Sequence, residues 1–360
     1  MKKKRILAMI LAVASCLSLA VSASAASTAR KATDFRDFDK SAWYAEAVSA
    51  AVDNGLLYGK SATIIDPNGD MTRAEMAAII NRSFGCYKTA DISQYKDVSK
   101  SKWYYKDVAL AVQMGTYNGR SSSAMAPDAP ISRQEAMTVV ARALELDYDS
   151  YSKTDLSKFS DRNKISNWAL PYVRAMIGAD YIHGRTKGLE PLDNITRAEF
   201  AAVMSKIVAQ YIDADSTLNR SLEIDGNVIV RGNVDLSGYT INGDVIIADE
   251  ATNVTLDGVT VNGRLVVRGA SDSLTISGSS ADGVIITNPN GASVLKTDNA
   301  SDLGTATALG DLTLSGGQLD RLTIAESATI TVEKGASVET ITVSADDVTI
   351  NGAGKGDKVQ

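Results

Sequence analysis

The sequence contains few of the residues that carry catalysis and metal binding. It has two cysteines, Cys16 and Cys86, and one histidine, His183. If Cys16 lies in a cleaved leader, no disulfide can form within the mature chain. A lone histidine without neighbouring cysteine or histidine does not make a transition-metal site. The sequence therefore predicts neither a metal centre nor a cofactor.

Positive charge is also in short supply. The chain has 37 lysines and arginines against 43 aspartates and glutamates, a formal net charge of −6. An acidic surface argues against nucleic acid and against anionic membranes as partners. Any anion that this protein binds must therefore be met by local arginines.

Aromatic residues are almost absent from the C-terminal part of the chain. All three tryptophans and all five phenylalanines precede residue 213, and Tyr239 is the one aromatic residue after it. Length alone predicts about two domains. The change in composition places their boundary in a linker at 213–221, across which we expect few contacts.

The longest apolar run lies at the N-terminus. Residues 2–5 are basic, an apolar stretch follows from residue 6, and the small residues 23–25 precede Ala26. This pattern is typical of a secretory signal peptide at 1–25. We expect a secreted protein that has no membrane association after cleavage. The alternatives are a retained N-terminal anchor and a lipobox-like sequence at 13–16, with Cys16 lipidated.

What the sequence does contain is a threefold repeat, with units of roughly 60 residues at 33–92, 93–155 and 156–212. Each unit has an aspartate, a tryptophan, a position where a helix ends and an arginine, in that order. These residues are Asp37, Trp43, Gly55 and Arg73, then Asp97, Trp103, Gly115 and Arg133, then Asp161, Trp168, Asp180 in place of glycine, and Arg197. Each unit is expected to form two helices that pack with those of its neighbours.

The motif that contains the arginine predicts the start of a helix. Thr72, Ser132 and Thr196 each stand three residues before a glutamate, which is the pattern of a capping box. The arginine between them falls in the first turn, where the helix dipole disfavours a cation by about 0.3–1 kcal/mol. Its return in all three units suggests an anion site beside free N–H groups. Arginine-to-alanine changes are then expected to weaken binding and to leave the helices intact.

These repeats resemble the S-layer homology (SLH) family over about residues 33–212. The resemblance implies a three-lobed helical bundle that anchors exported proteins non-covalently to secondary cell-wall polysaccharide, often a pyruvylated glycan. It also implies one binding groove per unit, formed by the aspartate, tryptophan, glycine and arginine given above. The third unit departs from the family pattern, because Asp180 stands where the family has glycine. Its carboxylate would repel an anionic ligand, which puts the third groove in doubt.

The chemistry of these residues fits the resemblance. A guanidinium offers a bidentate fork to the carboxylate of a pyruvate ketal, and an indole ring can cover the apolar face of a sugar. Structural alternatives stay open for two residue types. The tryptophans would also serve as the large core residue of each unit, and the aspartates as turn or cap residues.

The second part, about 222–352, has the pattern of β-strands. Short runs rich in valine, isoleucine, leucine and threonine are separated by glycine and Asn-Gly. The register repeats about every 20 residues, as at Leu236, Leu256 and Ile276. A constant period predicts a parallel β-solenoid (β-helix) of about seven coils, and hence an α + β multidomain protein. A β-sandwich is the alternative.

The stretch 288–310 interrupts this period. It is expected to be a solvent loop that breaks the stack of coils, and it is the one candidate loop for a site in the solenoid. Elsewhere the acidic residues are scattered and histidine is absent, whereas polysaccharide cleavage needs clustered carboxylates.

The sequence therefore favours a secreted, wall-anchored surface protein in which the β-solenoid is a non-catalytic structural or interaction module. Two alternatives are kept. One is a wall-tethered carbohydrate-active enzyme with a β-helix catalytic domain, and the other is a surface adhesin or receptor.

Overall fold

The structure is a computed structural model that describes residues 30–186, 188–214, 223–352 and 358–359. The predicted signal peptide, Cys16 and most of the predicted linker lie outside these residues. No helix in the described part of the chain is long and apolar enough to cross a membrane.

The N-terminal part consists of three units of two helices each, as the repeat predicts. The helices are α1 (Ala45–Asp53), α2 (Arg73–Phe84), α3 (Tyr105–Gln113), α4 (Arg133–Ala143), α5 (Leu170–Gly178) and α6 (Arg197–Ile207). The three capping boxes are confirmed at the starts of α2, α4 and α6. In α2, for example, the hydroxyl of Thr72 accepts from the amide of Glu75, whose carboxylate accepts from the amide of Thr72.

The three capped helices begin around a closed ring of backbone hydrogen bonds. The amide of Met71 donates to Ile195, that of Ile195 to Ile131 and that of Ile131 back to Met71, at 2.9–3.1 Å. The three side chains are fully buried. The ring relates the units by an approximate threefold axis and brings the N-termini of α2, α4 and α6 together. We call residues 31–207 the anchor.

The C-terminal part is a parallel β-solenoid, as predicted. Its strands are β1 (Val208–Ile212), β2 (Glu223–Asp225), β3 (Asn227–Val230), β4 (Asp235–Ser237), β5 (Thr240–Asn242), β6 (Val245–Ile247), β7 (Asn253–Asp257), β8 (Thr260–Val267), β9 (Ser273–Ser277), β10 (Ser280–Ile286), β11 (Ser293–Lys296), β12 (Thr305–Ala308), β13 (Leu312–Ile324), β14 (Thr329–Val332), β15 (Ala336–Val343), β16 (Thr349–Gly352) and β17 (Lys358–Val359). All the strand pairs are parallel.

Each coil places the same positions in the core of the solenoid. Val228, Val245, Leu265 and Val284 are in register on successive coils, and all four are buried. The corner at Gly238 returns in the next coils, and there the backbone is left-handed (φ +69°), a conformation that glycine adopts without steric cost. The coils therefore stack through repeated apolar columns.

The expectation that 288–310 breaks the stack is wrong. Strands β11 and β12 lie inside this stretch, and each pairs with a strand of the coil before and of the coil after. The period is hard to see in the sequence because the inward residues of β12 are the small Ala306 and Ala308, between threonines. The turn at 288–291 packs on the anchor, where the side-chain amide of Gln113 donates to the carbonyl of Pro289 (2.6 Å).

The expectation of few contacts between the two parts is also wrong. Strand β1 directly follows α6 and pairs with β3, so residues 208–212, assigned from the sequence to the third repeat, form the first rung of the solenoid. On β3, β6 and β8 the outward residues Ile229, Ile246 and Val266 are buried in the core cluster of the anchor. These strands are apolar on both faces because both faces are covered.

Polar groups of the solenoid also meet the C-terminal ends of the capped helices. The carbonyl of Phe84 at the end of α2 accepts from the amide of Asp249 (2.7 Å). The carbonyl of Ile207 at the end of α6 accepts from the side chain of Asn227 (2.9 Å). After α4, Arg264 donates to the carbonyl of Leu144 (3.2 Å). These groups satisfy carbonyls that a helix end leaves without a partner.

Candidate binding grooves

The three repeated arginines are buried at the contacts between neighbouring repeats. The Nε of Arg73 donates to the carbonyl of Met125 (2.8 Å), and its Nη1 lies 2.9 Å from Glu135, both in the second repeat. Arg133 and Arg197 make the corresponding bonds to the third and first repeats. The Nε of Arg133 donates to the carbonyl of Leu189 (2.9 Å), and its Nη1 lies 3.9 Å from the carboxylate of Glu199. The Nε of Arg197 donates to the carbonyl of Ile65 (2.9 Å), and its Nη1 lies 3.4 Å from the carboxylate of Glu75. Each arginine therefore ties its own repeat to the next one.

These contacts explain why a cation is tolerated in the first turn of each helix. The side chain of Arg73 leaves its own helix and is neutralised by the capping glutamate of another. Burial raises the pKa of Glu135, but the hydrogen bonds from Arg120 and Ser132 and the charge of Arg73 outweigh it, so the pKa lies below its usual value. Glu135 is therefore ionised at neutral pH.

The three predicted aspartates hold the loop before each capped helix. Asp37 accepts from the amides of Ile65 and Asp66 at 2.9 and 2.8 Å. Asp97 and Asp161 accept from the same two positions of their own repeats. Desolvation raises the pKa of Asp37, but the hydrogen bonds from these two amides lower it by more. The pKa therefore lies below its ordinary value. The aspartates thus position the loop, which is the structural alternative that the sequence left open.

The three tryptophans lie on the surface. Trp43, Trp103 and Trp168 are 67%, 61% and 52% exposed. Tryptophan is normally highly buried, so the interpretation of these residues as the core of each repeat is wrong. Their indole rings face solvent instead.

Two cavities run beside the arginines, and each draws on all three repeats. The Arg73 groove, about 390 Å³, has Arg120, Glu135 and Arg142 from the second repeat and Trp168 from the third. The Arg197 groove, about 380 Å³, is lined by Lys60, Glu75 and Arg82 from the first repeat and Trp103 from the second. The expectation of one groove within each repeat is therefore wrong, since arginine, tryptophan and loop come from different repeats.

Two glycines with a left-handed backbone stand in sequence just before the loops that line the cavities. Gly55 and Gly115 have φ values of +70° and +71° and directly precede the loops that line the Arg197 and Arg73 grooves. A Cβ at either position would meet nothing within 4 Å. Glycine is needed there for its backbone conformation, and the space beside it is open.

The approximate threefold relation predicts a third site, which we call the Arg133 groove. By analogy with the two cavities, its corresponding positions are Arg133, the loop 180–185, Glu199 and Lys206, together with Trp43 of the first repeat. The sequence placed Asp180 in the same site as Arg197, and this is corrected here. Asp180 belongs to the third repeat, and the arginine that contacts the third repeat is Arg133. Asp180 takes the left-handed position of the glycines (φ +60°) and pairs with Lys206 at 3.0 Å.

The sequence contained a signal for the basic residues that were not predicted. Lys60, Arg120 and Arg185 each follow a glycine that ends the first half of a repeat. Arg82, Arg142 and Lys206 each stand seven residues after the capping glutamate, which places both on the same face of the helix. Both sets recur in all three units, as the predicted arginines do.

The acidic residues of the solenoid form no metal-binding cluster in the described part of the chain, since no group of three or more histidine, cysteine, aspartate or glutamate side chains there could hold a metal ion. Two of its acidic residues pair with arginines against the anchor, Asp244 with Arg264 (2.6 Å) and Asp249 with Arg268 (2.9 Å). These carboxylates are already engaged in ion pairs.

Comparison with known families agrees with the repeats. The model of the S-layer homology domain matches residues 34–77, 94–137 and 158–201. The three matches fall on the three repeats of two helices described above. The chain carries three S-layer homology domains, followed by a parallel β-solenoid of about seven coils.

The chain is also similar to parts of longer proteins. It is 31% identical over 232 residues to the Surface-layer 125 kDa protein of Lysinibacillus sphaericus, which covers 63% of this chain and 19% of that protein. It is 23% identical over 177 residues to the S-layer protein sap of Bacillus anthracis (49% and 21%). An endoglucanase of Bacillus sp. (strain KSM-635) is 25% identical over 210 residues (57% and 22%). The chain thus spans about a fifth of the length of these relatives.

Proposed function

We propose that the chain is an exported bacterial protein held non-covalently to secondary cell-wall polysaccharide by the grooves of its anchor. The observation that carries this proposal is the composition of the two cavities. Each has three cationic side chains around one carboxylate, beside an exposed tryptophan. The excess positive charge suits an acidic polymer, on a chain that is acidic as a whole.

The ligand class follows from the chemistry of the lining. An indole face binds the apolar face of a sugar ring, and a guanidinium binds a carboxylate in a bidentate manner. A sugar that carries a carboxylate, such as a pyruvate ketal, offers both features on one residue of the polymer. The S-layer relatives support a location at the cell surface or cell wall, and we infer that export uses the predicted signal peptide.

We further propose that the β-solenoid is a structural or interaction module without catalytic activity. The pairing of Asp244 and Asp249 with arginines supports this proposal, because both carboxylates already hold a counter-charge against the anchor. The alternative of a wall-tethered enzyme draws on the endoglucanase relative, whose similarity lies in the S-layer homology region. Release of reducing sugar from purified walls would favour that alternative.

The experiment is a sedimentation assay of the full chain with purified cell walls, before and after extraction of the wall polymer. Retention is expected to depend on the polymer. Changing Arg120 and Lys60 together to glutamine should weaken retention about tenfold, because each removes a charged contact. Lys153→Gln, an exposed change outside the grooves, is the matched control. Unchanged retention in the double variant would contradict the proposal.

A further inference from the structure

The Arg133 groove differs from the other two in charge. In the Arg73 and Arg197 grooves, three cations surround one carboxylate. In the Arg133 groove, the single side chain of Arg185 contacts three carboxylates. It lies 2.8 Å from Glu190, 2.6 Å from Glu199 and 3.8 Å from Asp193. The cation that corresponds to Arg120 is thus neutralised by its surroundings.

The second cation of this groove is also engaged. Lys206 corresponds to Arg82 and Arg142, and it pairs with Asp180 and contacts the imidazole of His183. Arg82 instead donates to a neutral backbone carbonyl, that of Leu56 (2.9 Å). The carboxylate of Asp107 acts on Arg82 only from beyond ion-pair distance, whereas Lys206 is paired directly with Asp180. More of the positive charge of Arg82 is therefore left for a ligand in the Arg197 groove.

Asp180 also changes the space beside the groove. At Gly55 and Gly115 the direction of the side chain is open, and Asp180 places a carboxylate in that direction, 77% exposed to solvent. A carboxylate there repels a second carboxylate and accepts hydrogen bonds from sugar hydroxyls. The tryptophan of this groove, Trp43, is the most exposed of the three.

From these contacts we infer that the Arg133 groove binds a neutral saccharide unit, while the Arg73 and Arg197 grooves bind acidic ones. Trp43 stacks on the sugar ring, and the carboxylate of Asp180 accepts its hydroxyl groups. The inference rests on the proposed binding of wall polysaccharide and names the ligand class of one of its sites. A polymer with both kinds of sugar would engage all three grooves of one molecule.

The three tryptophans give one reporter for each groove. The indole N–H signals of the full chain are assigned by Trp→Phe variants, then followed by NMR during titration. The acidic probe is the methyl glycoside of an N-acetylhexosamine with a 4,6-pyruvate ketal, and the neutral probe is the same glycoside without the ketal. We expect the acidic probe to shift Trp168 and Trp103 and the neutral probe to shift Trp43.

Variants at the left-handed position separate charge from shape. Asp180→Asn keeps the shape and the left-handed backbone, and it should strengthen the response of Trp43 to the acidic probe about fivefold, which is roughly 1 kcal/mol for unit charges in water. Asp180→Gly should do the same. The reciprocal change Gly115→Asp should weaken the response of Trp168 to that probe by a similar factor.

Two outcomes would overturn the inference. One is a wild-type Trp43 that responds to the acidic probe at the same concentrations as Trp103 and Trp168. The other is a Trp43 that the neutral probe leaves unshifted. If instead none of the three tryptophans responds to either probe, the proposed binding of wall polysaccharide fails as a whole. Failure of the inference and failure of the proposed function are therefore distinguishable.

Discussion

Arg268 and Asp249 form an ion pair in which neither side chain is exposed, with 2.9 Å between Nε and Oδ1. The Nη1 of the same guanidinium lies 2.9 Å from the carboxylate of Glu145 at the end of the second repeat. The other oxygen of Asp249 accepts from Asn290 (3.2 Å). One charged network inside the molecule thus joins the anchor to three coils of the solenoid.

Removing one member of this pair should cost much of the stability. Arg268→Met leaves the carboxylate of Asp249 buried without its counter-charge, and we expect the free energy of unfolding to fall by about 3–5 kcal/mol. The double variant Arg268→Met, Asp249→Leu leaves only Glu145 without its partner, whereas the single variant leaves both carboxylates, so the double variant should be the more stable of the two. Urea unfolding followed by circular dichroism measures both, and an equal loss in the two variants would contradict this role.

Cys86 reports whether the anchor and the solenoid stay packed together, at the interface that we call the junction. Burial, and after it the charge of Asp249, raises the pKa of its thiol to about 12. With Cys16 replaced by serine, alkylation at pH 8 should be about a thousandfold slower than for a free cysteine, because the thiolate is rare. Loss of the Arg268 charge by itself raises the thiol pKa further, so a faster reaction in Arg268→Met would report that the anchor and the solenoid have separated. Rapid labelling of the otherwise unchanged protein would mean that the anchor and the solenoid separate readily.

The apolar residues at the outward position of the solenoid strands should contribute most to stability where the anchor covers them. Ile246 is fully buried against the helices, and Ile285, two coils later in the same register, is partly exposed. Ile246→Thr is expected to lower the free energy of unfolding by about 2 kcal/mol through lost apolar burial and an added hydroxyl. The matched Ile285→Thr should cost less. Thermal unfolding compares the two, and equal losses would argue against the packing described.

The arginine contacts reverse one expectation from the sequence. Arg73 is buried and donates to two carbonyls and a glutamate of the next repeat, so Arg73→Ala should destabilise the anchor by about 2–4 kcal/mol. Arg120→Gln changes a more exposed side chain and should leave stability within about 1 kcal/mol. Denaturant unfolding of both variants, beside their wall retention, separates folding from binding. Full stability in Arg73→Ala would restore the original expectation.

Because aspartates hold the loops, we expect the free energy of unfolding to fall at low pH. The pKa of Asp37 is lower in the folded state than its ordinary 3.8, so its contribution is present above that value and is lost as pH falls through the lower, folded-state pKa. Asp37→Asn should cost about 1 kcal/mol at pH 7 through weaker hydrogen bonds. The difference from the unchanged protein should shrink as the pH falls below 3.8 and through the lower folded-state pKa. A difference that is constant from pH 7 to pH 2 would rule out this linkage.

Much of the fold could be predicted because local patterns and tertiary contacts agree. The capping boxes begin the helices where the motif places them, and Leu236 and its counterparts in later coils point into the solenoid. The junction was missed although it left a signal. The apolar residue at the outward position of β3, β6 and β8 gives way to Thr307 and Thr323 in later coils, where the anchor no longer covers the strand.

The composition of the grooves could not be predicted in the same way. Repetition identified Arg73 and Trp168 as parts of one pattern, but which repeat supplies each side of a cavity depends on how the units pack around their axis. The closed ring of Met71, Ile131 and Ile195 sets that packing. A motif read within one repeat therefore gives the right residues and assigns them to the wrong neighbours.

The direct passage from α6 into β1 has a mechanical consequence. No residue separates Ile207 from Val208, and the first rung is bonded to β3. A sideways force on the far coils would be transmitted to the grooves of the anchor through this connection and through Arg268, because no flexible segment lies between them. In a molecule bound to the wall by its anchor, the fold would therefore set the angle between the solenoid and the wall.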